Sequence, residues 1–370
     1  MMKYFFSLYL FIHLINHNFI KAFNTDNQTQ ERKNLIIGAI SNYNWDKVKI
    51  FFKSYQNVGF KNCECVMFVI NVPEKTIDKM KSCGVIVYQI PEQYKEELII
   101  NYRWKLYEDY LSKNQDRYNL VFTADIRDVF FQRDLFQLYD FKKPYLGIAI
   151  EDGTLRETIN RDWLIKAYGE ELYKSIMNER IFCVGSVWGT TDKFIIFAKA
   201  MWNRLSSGAN QEWGIEQAVG NFIIYHDKMF DDCLIKSNNT DGYIMTVGLT
   251  NSKNILLNIN FDILNGKGEV AAVVHQYDRH DALKKIVESK YNSESQSLES
   301  KSKCNSENQS FQLNFIILII IIDIFVIIIV IYILKKKFQA KPFEIDESKI
   351  EMIKVPKKGI YLNEMEIKDE

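Results

Sequence analysis

The strongest constraint on this chain is a rhythm between residues 35 and 124, where four short apolar runs alternate with three helical patterns. Leu35–Ile40 is a continuous apolar run that ends in Ser41-Asn42-Tyr43-Asn44. Trp45, Val48, Phe51, Phe52 and Tyr55 then recur at helical spacing. Cys65–Ile70 and Val85–Ile90 read as the second and third strands, with Pro73 opening a helix between them. Leu98, Tyr102, Leu106 and Tyr110 lie four apart on one helical stripe, and Tyr118–Ala124 is the fourth strand. Runs this apolar are buried on both faces, so the pattern predicts an α/β fold with a mostly parallel sheet flanked by helices. Such sheets bind ligands beyond the carboxyl ends of their strands.

The second half is less regular. Strands are expected over Tyr145–Ile150, Phe182–Trp188 and Ala271–His275, and helices over 161–177, 191–205 and 213–224. No internal repeat is present. Lys+Arg and Asp+Glu are both 47, a balance that argues against a nucleic-acid partner, which needs a basic surface. The apolar share of 47% excludes global disorder.

Both ends speak for a membrane. Lys3 precedes the apolar run Tyr4–Ile15, the shape of a secretory signal, so residues 1–23 read as a signal peptide or an N-terminal anchor. Phe315–Leu334 is apolar except for Asp323 and is long enough, at about 1.5 Å per residue, to span a bilayer. Lys335, Lys336, Lys337 and Lys341 follow it, and the positive-inside rule puts them in the cytosol. The expected organisation is a domain at 34–290, a Ser/Asn-rich stem at 291–312, a transmembrane helix at 313–334 and a cytosolic tail at 335–370. This is a single-pass type I protein of the secretory pathway (endoplasmic reticulum, Golgi or cell surface). Its domain is lumenal or extracellular, where the sequons at Asn27, Asn238 and Asn308 fall. Asp323, near mid-bilayer, is either a helix-pairing group or a tolerated acid.

Where the fourth strand ends, the chain reads Asp125-Ile-Arg127-Asp128-Val-Phe-Phe-Gln-Arg-Asp134. Two carboxylates on such a turn suit a hard divalent cation with oxygen ligands, Mn²⁺ or Mg²⁺, shared with substrate phosphates. The alternative for Asp128 and Arg127 is a local capping and salt-bridge pair. His275 ends an apolar strand, where a hydrogen-bonded core residue competes with a metal ligand. Glu216 and Gln217 open a helix, where a carboxylate serves either as general base or as a partner of the helix dipole. Trp188 stands between small residues, as a sugar platform or a buried ring. Cys63, Cys65 and Cys83 flank neighbouring strands and invite a disulfide between Cys83 and one of the others.

The stretch Asp125–Asp134 resembles the Asp-x-Arg-Asp-Val-x-Phe-Gln-x-Asp segment of nucleotide-sugar glycosyltransferase-like proteins of the GT-A fold. The segment His275-Gln276-Tyr277-Asp278-Arg279-His280 is similar to their closing motif. Glu216-Gln217-Ala218-Val219-Gly220-Asn221 stands where they carry an Asp-Gln…Asn element. Glu216 replaces the usual Asp, and Leu135 a common Pro. The resemblance covers roughly residues 34–285 and implies a metal held by Asp125, Asp128 and His275. It implies a nucleoside-diphosphate sugar near Asn42, Tyr43, Arg103 and Arg127, and a glycan, protein or lipid acceptor facing Glu216 or Gln217. Two other readings are a receptor or adhesion protein on an inactive scaffold of this fold, and a metal-dependent phosphohydrolase.

Overall fold

Residues 31–91, 98–139, 142–207, 212–292 and 360–361 are described by the computed structural model. The expected signal, stem, membrane span and nearly all of the tail, with Asn27, Asn308, Cys304 and Asp323, lie outside them. Among the described residues no helix is long and apolar enough to cross a membrane.

The apolar runs of the first half become β1 (Lys33–Ser41), β2 (Cys63–Ile70), β3 (Val85–Gln89) and β4 (Tyr118–Ala124). Between them lie α1 (Trp45–Val58), α2 (Glu74–Ser82) and α3 (Ile99–Lys113). Asn44 caps α1 by accepting from Lys47 N, and Gly59 ends it in the left-handed conformation at φ +61°. All pairings among these strands are parallel, in the order β3-β2-β1-β4. The order reverses between β1 and β4, so a crevice opens at their carboxyl ends.

The alternation of the strands sorts two cores. Ile36, Ile40, Cys65, Met67, Leu120 and Phe122 pack with Val48, Phe51 and Phe52 of α1 and with Ile77 and Met80 of α2. Leu35, Ile37, Val66, Phe68 and Val121 face the other way, onto Trp104, Tyr107 and Leu111 of α3. The buried face of α3 is therefore displaced from the expected stripe. Tyr102, Leu106 and Tyr110 are only half-buried, because Asn101 and Arg103 take interior positions beside Trp104.

The second half adds β5 (Val129–Phe131), β6 (Leu146–Thr154), α4 (Thr158–Tyr168), α5 (Glu170–Ile176), β7 (Arg180–Thr190), α6 (Thr191–Ser207) and α7 (Ile215–Tyr225). The single helix expected over 161–177 is two, broken at Gly169, whose φ of +84° no helix accommodates. β7 runs antiparallel beside β4, and β6 antiparallel beside β7. β8 (Leu234–Ser237) completes the seven-stranded sheet β3-β2-β1-β4-β7-β6-β8, which is mixed. β9 (Ile244–Thr246), β10 (Leu256–Leu257), β11 (Ile263–Leu264), β12 (Val273–His275) and α8 (Asp281–Asn292) follow. A small second sheet has the order β5-β12-β9. β13 (Ile360–Tyr361) pairs antiparallel with β10.

Two expectations are corrected here. Trp188 is buried against Gly147, where a Cβ would come within 2.0 Å of the indole, so the ring is core and not a sugar platform. Cys63, Cys65, Cys83, Cys183 and Cys233 are all free thiols.

Candidate metal and ligand site

Two pieces of backbone register assemble the site. Ala124 lies opposite Ser186 in the β4–β7 ladder, and Asp125 N donates to Gly185 O at 2.9 Å, which fixes Asp125 against β7. His275 lies opposite Val129 in the β12–β5 ladder, and Gln276 N donates to Asp128 O at 2.8 Å. The second sheet thus carries His275 across 147 positions of sequence to Asp128. Gln276 adopts a left-handed backbone, φ +61°, where the chain turns out of β12.

Asp125, Asp128 and His275 each offer a donor atom, all within 4.8 Å of one another. His275 Nε2 lies 3.6 Å from Asp125 Oδ2 and 3.5 Å from Asp128 Oδ1. His275 is 1% exposed, and its Nε2 has no hydrogen-bond partner. A buried polar atom left so is costly unless something else binds it. Nδ1 is occupied differently, with Ser186 Oγ at 3.3 Å and Cys183 Sγ at 3.4 Å. The ring is thereby oriented from behind, the arrangement that metal-bound imidazoles use. Gly185 leaves the space in front: a Cβ there would stand 2.5 Å from Asp125 Oδ2 and 2.5 Å from His275 Cε1. An unpartnered nitrogen, two carboxylate oxygens and a cradle that a methyl group would fill together fit a divalent cation.

The remaining carboxylate oxygens are tied to arginines. Arg103 Nη1 donates to Asp125 Oδ1 at 2.7 Å, and Arg127 Nη2 to Asp128 Oδ2 at 3.0 Å. Arg279 Nη2 is 3.3 Å from Asp128 Oδ2. Asp278 pairs with Arg127 at 2.9 Å and with Arg279. Burial works to raise the Asp128 carboxyl. The His275 imidazole, with Arg127 and Arg279, more than offsets this and holds it down at about 2. Burial alone would lower the His275 imidazole, but Cys183 and the Asp128 carboxylate beside it hold it raised. A proton and a cation therefore compete for Nε2.

Arg103 is not at the surface, although it lines the cavity of the site. It is buried, and its Nε donates to Glu216 Oε1 at 2.8 Å. Trp104 Nε1 donates to the same oxygen at 2.6 Å. Burial pushes Glu216 up to about 7, with Arg103 opposing. Gln217 is a tether: its Oε1 accepts from Val184 N at 3.0 Å and its Nε2 donates to Phe182 O at 2.6 Å. Both ends of that carboxamide are thus spent on β7.

One cavity of about 670 Å³ joins these groups. It is lined by Ser41 and Tyr43 from the end of β1, by Arg103, Asp125, Arg127, Asp128, Glu216 and Gln217, and by Cys183 and Gly185 of β7. Asn42 is outside the lining. Its side chain pairs with Asn71, and Ser41 and Tyr43 stand at the cavity wall instead. Burial raises the Tyr43 hydroxyl, with Arg127 opposing, so it enters the cavity as a neutral donor.

Sequence reasoning passed over Gly185, Glu151, Ser186 and the two indoles Trp163 and Trp213 that also line or abut this space. A glycine inside a buried strand, here between Val184 and Ser186, is a signal of close approach. Glu151, an acid ending the apolar run of β6, carries a similar one: it is buried, and burial raises its carboxyl.

No family model and no curated protein matches the chain. Among solved structures it is similar to an active-site mutant of LgtC, at 15% identity and a TM-score of 0.43 over 65% of this chain and 86% of that one. It is also similar to the galactosyltransferase LgtC in complex with donor and acceptor sugar analogues. That match has 15% identity and a TM-score of 0.39, again over 65% and 86% of the two chains.

Proposed function

We propose that the chain is a metal-dependent glycosyltransferase that moves a sugar from a nucleoside-diphosphate sugar to an acceptor. The observation that carries this is the unpartnered Nε2 of His275, set between one oxygen each of Asp125 and Asp128 just beyond the carboxyl end of β4. A Mn²⁺ or Mg²⁺ ion held there supplies charge neutralisation to a departing diphosphate. The two carboxylate oxygens suit both ions, and the imidazole favours Mn²⁺ over Mg²⁺, which keeps to oxygen donors.

The protein's own groups do the rest. Arg103, Arg127 and Arg279 fix the outer carboxylate oxygens, so the inner ones are oriented before any ligand arrives. Tyr43 and Ser41, at the end of β1, line the side of the crevice where the nucleotide lies in this reading. Tyr43 has Arg127 on one hand and the two aspartates on the other. Glu216, tied to Arg103 and Trp104, acts on Asp125 through Arg103 and is a positioning residue rather than a free base. In this reading the domain is held in the secretory lumen by a span at 313–334.

The test is release of nucleoside diphosphate from a panel of nucleotide sugars by the full-length chain, with and without Mn²⁺. Turnover is expected with the ion, falling by at least about 10²-fold in Asp125→Asn and in Asp128→Asn. Turnover unchanged in both variants, or none with any donor, refutes the assignment.

A further inference from the structure

The cavity has a second wall, remote in sequence from the carboxylates. Thr158, Ile159 and Asn160 open α4, Trp163 follows on the same helix, and Trp213-Gly214 leads into α7. All of them line the cavity. The two indoles meet edge to face, with centroids 5.1 Å apart and planes at 81°. Trp213 is 66% exposed, Ile159 51% and Leu249, also in the lining, 46%. Large apolar side chains gathered at the mouth of a polar cavity mark a place where something binds.

Gly214 shows that this corner is built. Its φ is +91°, and a Cβ there would stand 2.0 Å from Trp163 Cε2. No other residue would let the chain lie so close on the Trp163 ring, and that close approach leaves Trp213 at the opening. Polar groups are interspersed with the apolar ones in this wall: Glu157 and Thr158 are exposed, and Asn160 is buried.

We propose that Trp163 and Trp213 form the acceptor subsite, and that its occupant is a pyranose ring of a carbohydrate. This rests on the transferase reading above and names its acceptor class. A pyranose has one face of C–H groups and a rim of hydroxyls. It therefore needs an apolar ring face bordered by hydrogen-bonding groups, as Trp213 with Glu157, Thr158 and Asn160 provides. A lipid chain needs a continuous apolar wall, which these polar residues interrupt. A nucleic-acid strand needs unpaired cations beside its stacking rings, whereas Lys166, a cation on the helix of Trp163, is paired with Glu212, and the ionisable group of the lining next to Thr158 is the acid Glu157.

Calorimetry of the full-length chain with lactose, maltose, cellobiose and N,N′-diacetylchitobiose tests it. At least one disaccharide is expected to bind saturably. Trp213→Ala is expected to weaken it by about ten-fold or more, and Trp213→Phe by less. Mn²⁺ affinity is expected to stay within about two-fold in both variants, because a residue this exposed bears little of the fold. Absence of binding for all four sugars, or binding that Trp213→Ala leaves unchanged, overturns the proposal. Trp213-dependent sugar binding without turnover of any nucleotide sugar would keep the subsite and remove the transferase. Turnover with Trp213-independent sugar binding would do the reverse.

Discussion

Glu216 and Asp125, 91 residues apart in sequence, share one buried guanidinium: Arg103 holds Glu216 Oε1 at 2.8 Å through Nε and Asp125 Oδ1 at 2.7 Å through Nη1. The arrangement leaves Asp125 Oδ2 as the oxygen that faces His275. Removing the guanidinium leaves the buried Glu216 carboxyl to take up a proton and Asp125 Oδ1 without its donor, and breaking a buried pair in this way costs on the order of 3–5 kcal/mol. Arg103→Ala is therefore expected to lower the urea midpoint strongly and to weaken Mn²⁺ binding together with it. Arg103→Lys keeps the charge but not the fork, so it is expected to recover stability more than metal affinity. Equal recovery of both would show that geometry at Asp125 does not matter.

Gly185→Ala tests the cradle. The added methyl would sit 2.5 Å from both Asp125 Oδ2 and His275 Cε1, so one of the two inner donors must move. Mn²⁺ affinity measured by calorimetry is expected to fall by more than about ten-fold, the loss typical of misplaced metal ligands and their supports. Unchanged affinity would mean that the cation, if it binds, binds elsewhere.

The burial of Glu216 has a consequence for pH. Its folded value of about 7 stands above the ordinary glutamate value of 4.5. A raised acid favours the folded state most when protonated, so its contribution is complete below about pH 4.5 and is lost as pH rises through 7. Glu216→Gln removes the titration and keeps an oxygen for Trp104 and Arg103. Urea melts should show the variant gaining on the wild type from pH 5 to pH 8. A gap that does not change over that interval would place the carboxyl at its ordinary value.

The parallel half of the sheet was legible because β1, β2 and β4 are buried on both faces and read as unbroken apolar runs. Asp125 and Asp128 were legible for the same reason, since the carboxyl end of a strand places them. The insertion of β7 beside β4 was not: antiparallel pairing across more than 60 positions leaves no local mark on either strand. Arg103 looked like any basic residue on a helix, because its partner Glu216 is 113 positions away. Gln217 looked like a site residue because the tether it makes to Phe182 and Val184 depends on where β7 runs. Stripe reasoning on α3 failed in an instructive way. Periodicity counts apolar residues, and there the buried face includes Asn101 and Arg103.

The tail provides the last test, because two features compete for it. A span at 313–334 would put residues 335–370 across a bilayer from the domain, whereas β13 pairs with β10 of the domain through Leu256↔Tyr361 and Leu257↔Ile360. Both cannot hold in one molecule. Two residue pairs are worth about 1 kcal/mol per hydrogen bond. The run 315–334 gains about 0.3–0.6 kcal/mol for each central Ile, Leu, Phe or Val, and these make up 18 of its 20 residues. Even after the roughly 3 kcal/mol charged to Asp323, insertion is the larger effect. In sealed microsomes a C-terminal tag is therefore expected to be digested by added protease while the domain is protected. A tag protected together with the domain would remove the span and leave the β10–β13 pairing as the fate of the tail.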